Sequence, residues 1–389
     1  MFDKIKSIDV DITNICNFNC TYCYHSKDAK DITDDTINSL INLLNAYKNI
    51  KSIAFMGGEP LMNFNSIKKI INETNSKRSN KTIDELDENV QFNINELNKK
   101  ENGPDIIYPC KINKSDLFRF SITSNLSLLD EEKVNWIKFN NGGVHSSIDG
   151  CQVAHDKHRI SGANGTYELI KAKTKLVLAM QRRCTVRTTV MPDTVEYLFE
   201  SVKSLSELGY LNIAFVFACE ANWTEKEYKI YRDQLQRIAL YNIHNPMIHI
   251  KAFGDCQRQF TEKLRCGAGR NLLAISTEGN IFPCHRFTTN NESEFDKKFY
   301  LGNINKSFEI DAKTINRYWQ NIKVNEKCIK CPAFKCCSLG CPYTSIDSFG
   351  DINHIHPVHC DFMLNTLPTA NWFFSKIKNI PSAYNRHKK

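Results

Sequence analysis

The chain has 389 residues, of which 41% are hydrophobic, and this is ample for a buried core. The length predicts one large domain followed by a smaller one. Although the formal net charge is +8, the lysine-rich stretches alternate with Asp and Glu and no basic stripe is paired with stacking aromatics, so we expect no nucleic-acid partner. Residues 1–10 lack the apolar region of a signal peptide, and no apolar stretch is long enough to cross a bilayer. We therefore expect a cytoplasmic protein with no membrane partner.

Six short β-rich runs follow one another along the first part of the chain, and helical patterns separate nearly all of them. The predicted strands are residues 5–12, 51–56, 118–123, 143–149, 185–191 and 211–217. The predicted helices are residues 34–47, 65–73, 130–139, 167–180, 196–208 and 224–241. Thr33 is the expected N-cap of the first helix. Repeated strand–helix units predict an α/β domain with a parallel sheet, whose chemistry gathers at the carboxyl ends of the strands.

Residues 75–116 interrupt this alternation. The stretch is rich in Asn, Lys, Asp and Glu and has weak apolar periodicity, so we interpret it as an insertion, either a surface excursion or a lid over the substrate. Further along, Cys, Gly and Pro become frequent, which predicts a small metal-stapled domain. The expected divisions are residues 1–243, residues 244–365 and a C-terminal tail at residues 366–389.

The 16 cysteines of a cytoplasmic protein this large indicate metal binding or redox chemistry rather than a disulfide scaffold. Cys16, Cys20 and Cys23 lie on one short loop after the first predicted strand and can converge on a single metal centre. A four-iron cluster has four corners, so three thiolates leave one iron open, whereas structural sites normally close with four ligands. A zinc loop completed by His25 is the alternative.

The cysteine loop, with Tyr22 before Cys23, resembles the CxxxCxφC signature of the radical S-adenosylmethionine (radical SAM) superfamily, in which φ is aromatic. Other motifs of that family follow in order at the ends of later predicted strands. They are Gly57-Gly58-Glu59-Pro60, Ser124-Asn125, Ser147 and Asp149 before Gly150, and Arg159. The resemblance implies a partial (β/α)6, TIM-like barrel with the cysteine loop after its first strand.

The resemblance also implies the cofactors and their contacts. A [4Fe-4S] cluster on the three cysteines would bind S-adenosyl-L-methionine (SAM), with the Gly-Gly-Glu-Pro turn at the methionine amino group. Ser124, Asn125, Ser147 and Asp149 would contact the ribose and methionyl portions, Arg159 the carboxylate and Tyr22 the adenine. One electron, supplied by an external donor such as flavodoxin or ferredoxin, would break a carbon–sulfur bond and yield a 5′-deoxyadenosyl radical.

Seven later cysteines resemble the SPASM extension of peptide and protein maturases. The resemblance implies two auxiliary [4Fe-4S] clusters, so that the chain would hold three clusters in all. One auxiliary set is Cys266, Cys284 and Cys341, and the other is Cys328, Cys331, Cys337 and Cys360. A pair of zinc ribbons is the alternative.

Six cysteines fall outside the clean spacing of these sets. Cys256 lies ten residues before Cys266, and we predict that it is the fourth ligand of the first auxiliary cluster. Cys336 stands beside Cys337, which leaves open which neighbour is a ligand, although the spacing on both sides favours Cys337. The remaining thiols are expected to be packed and without a role in metal binding. They are Cys110, Cys151, Cys184 and Cys219.

Most SPASM members act on peptides, so we expect a radical SAM oxidoreductase with a peptide or protein substrate. The expected product is an intramolecular crosslink in a ribosomally made peptide, of cyclophane-type carbon–carbon, carbon–oxygen or thioether chemistry. Only fifteen residues precede Cys16 and no winged-helix pattern follows Cys360, so a separate leader-binding protein is a candidate partner.

Two alternatives remain for the function. Sulfatase-maturing enzymes carry Asp directly after the cysteine that corresponds to Cys284, whereas this chain has His285, which disfavours formylglycine formation. His285 can still accept the second proton of a residue oxidation, or it can simply pack beside the cluster. The alternative of another class is a non-catalytic iron-sulfur redox sensor or binding protein, and the complete set of SAM motifs argues against it.

Overall fold

The computed structural model describes residues 2–25, 28–79, 117–181, 184–260, 266–288, 298–320 and 323–378. Its strands are β1 (Ser7–Thr13), β2 (Ser52–Gly57), β3 (Arg119–Ser124), β4 (Gly142–Ser147), β5 (Ile160–Ser161), β6 (Asn164–Gly165), β7 (Thr185–Val190), β8 (Asn212–Phe217), β9 (His249–Ile250), β10 (Leu272–Ile275), β11 (Asn280–Phe282) and β12 (Gly302–Asn303). Its helices are α1 (Asp34–Ala46), α2 (Phe64–Ser79), α3 (Glu131–Phe139), α4 (Gln152–His158), α5 (Tyr167–Met180), α6 (Leu198–Glu207), α7 (Glu225–His244), α8 (Lys251–Asp255), α9 (Ala312–Gln320), α10 (Glu326–Ile329), α11 (Pro342–Phe349) and α12 (Pro357–Ile377). All six predicted strands and all six predicted helices are present.

Local capping signals fix where two of these helices begin. The Thr33 hydroxyl accepts a hydrogen bond from the backbone N–H of Thr36 at 3.2 Å, and two acidic residues occupy the first turn of α1. Helix α7 begins at a capping box, in which the backbone N–H of Thr224 donates to the Glu227 carboxylate at 3.0 Å. The predicted N-cap of α1 is confirmed.

One sheet of ten strands carries the fold, in the order β12-β11-β10-β1-β2-β3-β4-β7-β8-β9. The strands from β10 through β1 to β9 are all parallel to their neighbours. Parallel neighbours need crossover connections, and helices supply them. The predicted α/β class with a partial, TIM-like barrel is therefore confirmed.

Side chains alternate between the helix-covered face of this sheet and its concave face. Ile8 and Val10 of β1 are fully buried beneath the helices. Asp9, between them, points to the opposite face, where it meets a histidine from the C-terminal region. His145 of β4 and Arg187 of β7 also lie on the concave face, where they line one cavity. The concave face is thus the polar one.

The cysteine-rich C-terminal region shares the barrel sheet instead of standing apart from it. Strand β10 pairs in parallel with β1, with Leu272 opposite Ser7, and β11 and β12 follow in antiparallel order. This pairing places the loop after β11 beside the first strand of the barrel. The loop carries Cys284 and His285.

Two expected boundaries differ from the structure. Helix α12 runs through the expected start of the tail at residue 366, because an apolar face that includes Phe362, Ala370 and Phe373 stays buried along its length. Helix α2 continues to Ser79, since the buried Asn75 accepts a hydrogen bond from the backbone N–H of Phe118 at 2.8 Å. The expected insertion at residues 75–116 thus overlaps the last turn of α2, and its residues 80–116 lie outside the described residues, so the insertion stays a prediction. Within the described ranges, no helix combines the length and the apolar character that a membrane span requires.

Candidate functional site

The loop after β1 carries the three cysteines of the first predicted cluster. Cys16 and Cys23 are exposed, Cys20 is half-buried, and all three are free thiols. Although the residue as a whole is exposed, desolvation of the Cys16 thiol by surrounding atoms raises its pKa to about 11, and the neighbouring Cys20 and Cys23 add to this rise. The three sulfurs therefore lie within electrostatic range of one another. Metal binding would reverse the rise, because only the thiolate is a ligand.

The turn after β2 packs directly against that loop. The backbone N–H of Gly58 donates to the Thr13 carbonyl at 2.8 Å, and that of Glu59 donates to the Ile15 carbonyl at 2.9 Å. A Cβ atom on Gly57 would lie 2.1 Å from the Thr13 oxygen, and one on Gly58 would lie 2.2 Å from the Ile15 oxygen. Since no side chain fits at either position, the two glycines allow the turn to approach the cysteine loop.

The Glu59 carboxylate joins the ends of β2 and β3. It is buried and accepts hydrogen bonds from the Ser124 hydroxyl at 2.8 Å and from the backbone N–H groups of Asn125 at 2.7 Å and Leu61 at 3.1 Å. Burial raises the pKa of Glu59 to about 7, although these three donors oppose the rise. Pro60 is also buried and begins a short 3₁₀ helix. The predicted Ser124-Asn125 pair thus holds the turn in place.

Beyond β4, a buried ion pair links three of the predicted SAM-binding residues. The Asp149 carboxylate accepts a hydrogen bond from the Tyr22 hydroxyl, and its Oδ2 lies 3.0 Å from Nε of Arg159. The backbone N–H of Thr189 donates to Oδ1 at 2.8 Å. Burial alone would lower the pKa of Arg159, but Asp149 outweighs it and raises the pKa. Ser147 ends β4 nearby and is half-buried. These contacts attach the far end of the cysteine loop to β4 and β7.

The first auxiliary set is also brought together, although its members lie far apart in sequence. Burial raises the pKa of Cys284, and Cys341 and Cys266 raise it further. The pKa of Cys266 is also raised by burial and by Cys341. The three thiols therefore lie within electrostatic range of one another.

The second auxiliary set is gathered around Cys360. Burial raises the pKa of Cys360 to about 11, and Cys337, Cys328 and Cys331 add to the rise. The neighbouring Cys336 is buried, and its thiol donates to the backbone carbonyl three residues earlier at 3.4 Å. The placement favours Cys337 over Cys336 as the ligand, in agreement with the spacing.

Two further cysteines lie near these sets. Burial raises the pKa of Cys256 to about 12, with Cys336 and Cys337 contributing, so Cys256 lies beside the second set rather than with Cys266 and Cys284. Cys219 also has its pKa raised to about 12 by burial, and Cys341 of the first set contributes. The ligand role of Cys256 stays a prediction, and Cys219, whose Sγ lies 3.5 Å from Nε2 of His359, is the unassigned thiol within electrostatic range of the first set.

His285 meets the first strand of the barrel. Its Nδ1 lies 3.0 Å from Oδ2 of Asp9, and both side chains are partly exposed. The next residue, Arg286, lies with its guanidinium 4.3 Å from the centre of the Tyr24 ring and forms an ion pair with Glu220. A histidine oriented by a carboxylate can hold and release a proton at its other ring nitrogen.

Sequence reasoning did not single out the acidic residues of β1. Asp11 is 2% exposed, and its Oδ1 lies 3.5 Å from Nε2 of His25, the residue that would have completed a zinc loop. A signal for both acidic residues was present, because Asp9 and Asp11 alternate with Ile8 and Val10 in an otherwise apolar strand.

The donor sets consist of thiols, which are the ligands that iron-sulfur clusters require. In the described parts of the chain, no three His, Cys, Asp or Glu side chains converge closely enough to hold one metal ion. A four-iron cubane does not need its thiolates to meet at one point, because each thiolate binds a separate iron at a separate corner. Three spaced sets made of thiols alone fit that requirement.

A protein-family model, the Radical SAM superfamily, matches residues 10–205, which is half of the chain. An uncharacterized protein of Methanocaldococcus jannaschii is 29% identical over 218 residues, and a cysteine-type anaerobic sulfatase-maturating enzyme of Clostridium novyi is 20% identical over 245 residues. These alignments cover 55% and 57% of this chain. The chain spans 63% of the length of each of these curated relatives.

Solved structures share the fold along nearly the whole chain. Native anSMEcpe with bound AdoMet has a TM-score of 0.69 and 18% identity, with 98% of this chain and 99% of that chain covered. Streptococcus suis SuiB bound to the precursor peptide SuiA has a TM-score of 0.59 and 14% identity, with 92% and 76% covered. At these identities the likeness establishes the fold, including its cysteine-rich C-terminal region.

Proposed function

The chain belongs to the radical SAM superfamily, and we propose that it is an oxidoreductase that uses SAM to generate a radical and modifies a peptide or protein substrate with it. One observation carries this proposal. The turn at Gly57 to Pro60 and the Asp149–Arg159 ion pair both pack around the loop that bears three free thiols. A redox sensor would not need that arrangement.

Cys16, Cys20 and Cys23 are the residues that would hold the SAM-binding [4Fe-4S] cluster. Together with an electron from a donor such as flavodoxin or ferredoxin, the cluster and SAM supply the 5′-deoxyadenosyl radical. The side chains of this protein hold the proposed SAM-binding residues in place. Asp149 fixes Tyr22 and Arg159, and Glu59 fixes the turn beside the loop, so both are preorganised before SAM binds.

We propose an intramolecular crosslink in a ribosomally made peptide as the product. Such a reaction removes a hydrogen atom and then a proton from the substrate, so it needs a base. His285 is the candidate, because Asp9 holds its Nδ1 and leaves Nε2 as the proton acceptor. Two auxiliary clusters, on the sets around Cys284 and Cys360, would accept the remaining electron.

A residue oxidation that forms formylglycine is the second candidate. It also releases a proton that the His285–Asp9 pair can accept. It is further supported by the curated relative from Clostridium novyi, a cysteine-type anaerobic sulfatase-maturating enzyme.

Anaerobic reduction of the reconstituted protein with SAM tests the enzyme class. We expect 5′-deoxyadenosine to form, and its absence from protein with full iron content would refute the proposal. Co-expression with short peptides encoded beside the gene then separates the products by mass. A crosslink removes two hydrogens and keeps every sulfur, whereas conversion of cysteine to formylglycine removes the sulfur.

A further inference from the structure

Two cavities open along the concave face of the sheet, below the carboxyl ends of its strands. The first has a volume of about 540 Å³ and lies between β4, β7 and β8 and the C-terminal region. The second, of about 440 Å³, lies at the amino ends of β2, β3 and β4. Both are lined by His145, so they adjoin each other. We call the two together the lower lumen.

The charged side chains that line the lower lumen are mainly cationic. Four of the described lining residues carry a positive charge, namely Arg119, Lys138, Arg187 and Lys251. The one carboxylate among the described lining residues is that of Asp255. Its Oδ2 lies 2.5 Å from Nζ of Lys251, which neutralises its charge. Three thiols, those of Cys219, Cys256 and Cys337, line the C-terminal side of the first cavity, so the part of the lower lumen that is complementary to a negatively charged ligand is the part around Arg187, Arg119 and Lys138.

Arg187 is placed to make the specific contact. Its side chain is exposed in the first cavity, and none of the carboxylates in the described ranges pairs with it. Its backbone is held firmly, because Arg187 lies between Ser147 of β4 and Ala214 of β8 in the sheet and its carbonyl accepts the N–H of Ile148 at 3.1 Å. Thr189, two residues further along the same face, donates to Asp149. The guanidinium thus lies just below the proposed SAM-binding edge.

His145 supplies a polar group that also lacks a partner. Burial, together with the charge of Arg187, lowers the pKa of His145 to about 4, so the imidazole is neutral near pH 7. Its Nδ1 is buried and has no hydrogen-bond partner within the described residues. A buried polar atom without a partner is costly, and a bound polar ligand would satisfy it.

We propose that the lower lumen binds an acidic side chain of the substrate peptide, with the Arg187 guanidinium pairing with its carboxylate. The guanidinium fork matches a carboxylate in two parallel hydrogen bonds, which a lysine could not provide. This inference rests on the proposed function, because it assumes a peptide substrate in the barrel. Because Arg187 holds the acidic residue of the peptide, a residue next to Asp or Glu is the one placed for modification.

Peptide binding to the reconstituted, SAM-loaded protein tests the inference without turnover. Fluorescein-labelled Gly-Ala-Glu-Ala-Gly amide and its Gln and Lys analogues are the probes, and fluorescence anisotropy is the readout. We expect the wild-type protein to bind the Glu peptide about tenfold more tightly than the Gln peptide. Arg187→Gln should abolish this preference, and Arg187→Lys should retain part of it.

Charge reversal separates a specific contact from a folding defect. Arg187→Glu should favour the Lys peptide over the Glu peptide, which a misfolded protein cannot do. Arg237→Gln, which removes a cation from the outer surface of α7, is the matched control and should keep the wild-type preference. A wild-type protein that binds all three peptides equally, or an Arg187→Gln variant that still prefers Glu, overturns the inference. The proposed function is judged by 5′-deoxyadenosine formation, so the two can fail separately.

Discussion

At the scale of single residues, the ion pair between Asp149 and Arg159 is the strongest stabilising contact that we expect at the SAM site. Asp149→Asn would leave the buried Arg159 without its counter-charge, and losing one partner of a buried pair costs about 3 to 5 kcal/mol. Urea unfolding of the apoprotein measures this loss. Glu200→Gln is the control, because Glu200 is half exposed where it pairs with Arg237, and the loss there should stay below about 1 kcal/mol. Equal losses in both variants would contradict the account.

Glu59 predicts a pH dependence of stability. Its pKa rises from 4.5 in the unfolded chain to about 7 in the folded protein, so the folded state binds more protons across that window. The free energy of unfolding should therefore fall as pH rises from about 5 to 8, by about 3 kcal/mol from this group alone. Denaturant unfolding of the wild-type protein and Glu59→Gln at several pH values isolates the contribution. The difference in free energy of unfolding between the two proteins must change with pH. A constant difference would exclude Glu59 as the source of the pH dependence.

Cys219 and Cys256 are the two candidates for the fourth ligand of the proposed first auxiliary cluster. Cys219 lies near Cys341, whereas Cys256 lies near Cys336 and Cys337. We therefore expect Cys219→Ala to alter the electron paramagnetic resonance signal of one auxiliary cluster, and Cys256→Ala to leave iron content unchanged. Loss of iron in Cys256→Ala alone would restore the ligand assignment that the sequence suggested.

At the scale of elements, we expect the close approach of the β2 turn to the cysteine loop to govern SAM binding. Gly58→Ala would place a methyl group 2.2 Å from the Ile15 carbonyl oxygen, so the turn or the loop must move. Isothermal titration of SAM into the reconstituted protein should show at least tenfold weaker binding, since SAM is expected to span both elements. Gly162→Ala is the control for backbone strain, because its φ of +62° disfavours alanine whereas no neighbouring atom lies within 4 Å of the added Cβ, and its SAM affinity should match the wild type. Unchanged affinity in Gly58→Ala would contradict the role of the turn.

The elements that the sequence predicted are those with local signals. The Thr33 cap, the apolar runs of the six barrel strands and the cysteine spacings all act over short stretches of chain. The pairing of β10 with β1 and the contact of His285 with Asp9 were not predictable, because they join residues more than 260 positions apart. Strands β9 and β12 have two residues each, too few for a periodic pattern.

At the scale of the whole molecule, one sheet connects the three thiol sets. The first set follows β1, and the chain then crosses the barrel before β10 returns to pair with β1 and bring Cys284 near Asp9. Helix α12, which packs on α7, carries Cys360. The first cavity of the lower lumen is lined by Arg187 and His145 of the barrel and by Cys337 of the proposed second auxiliary set, so we expect a peptide in it to lie beside that set.

Combined iron analysis and 5′-deoxyadenosine detection on one variant tests the central claim most directly. Three [4Fe-4S] clusters give about 12 irons per chain in the anaerobically reconstituted wild type. Replacing Cys16, Cys20 and Cys23 together with Ala should lower the content to about 8 irons and abolish 5′-deoxyadenosine formation, because the auxiliary sets lie on other loops. Continued formation of 5′-deoxyadenosine in this variant, or a wild-type protein with about 4 irons or stoichiometric zinc, would contradict the account.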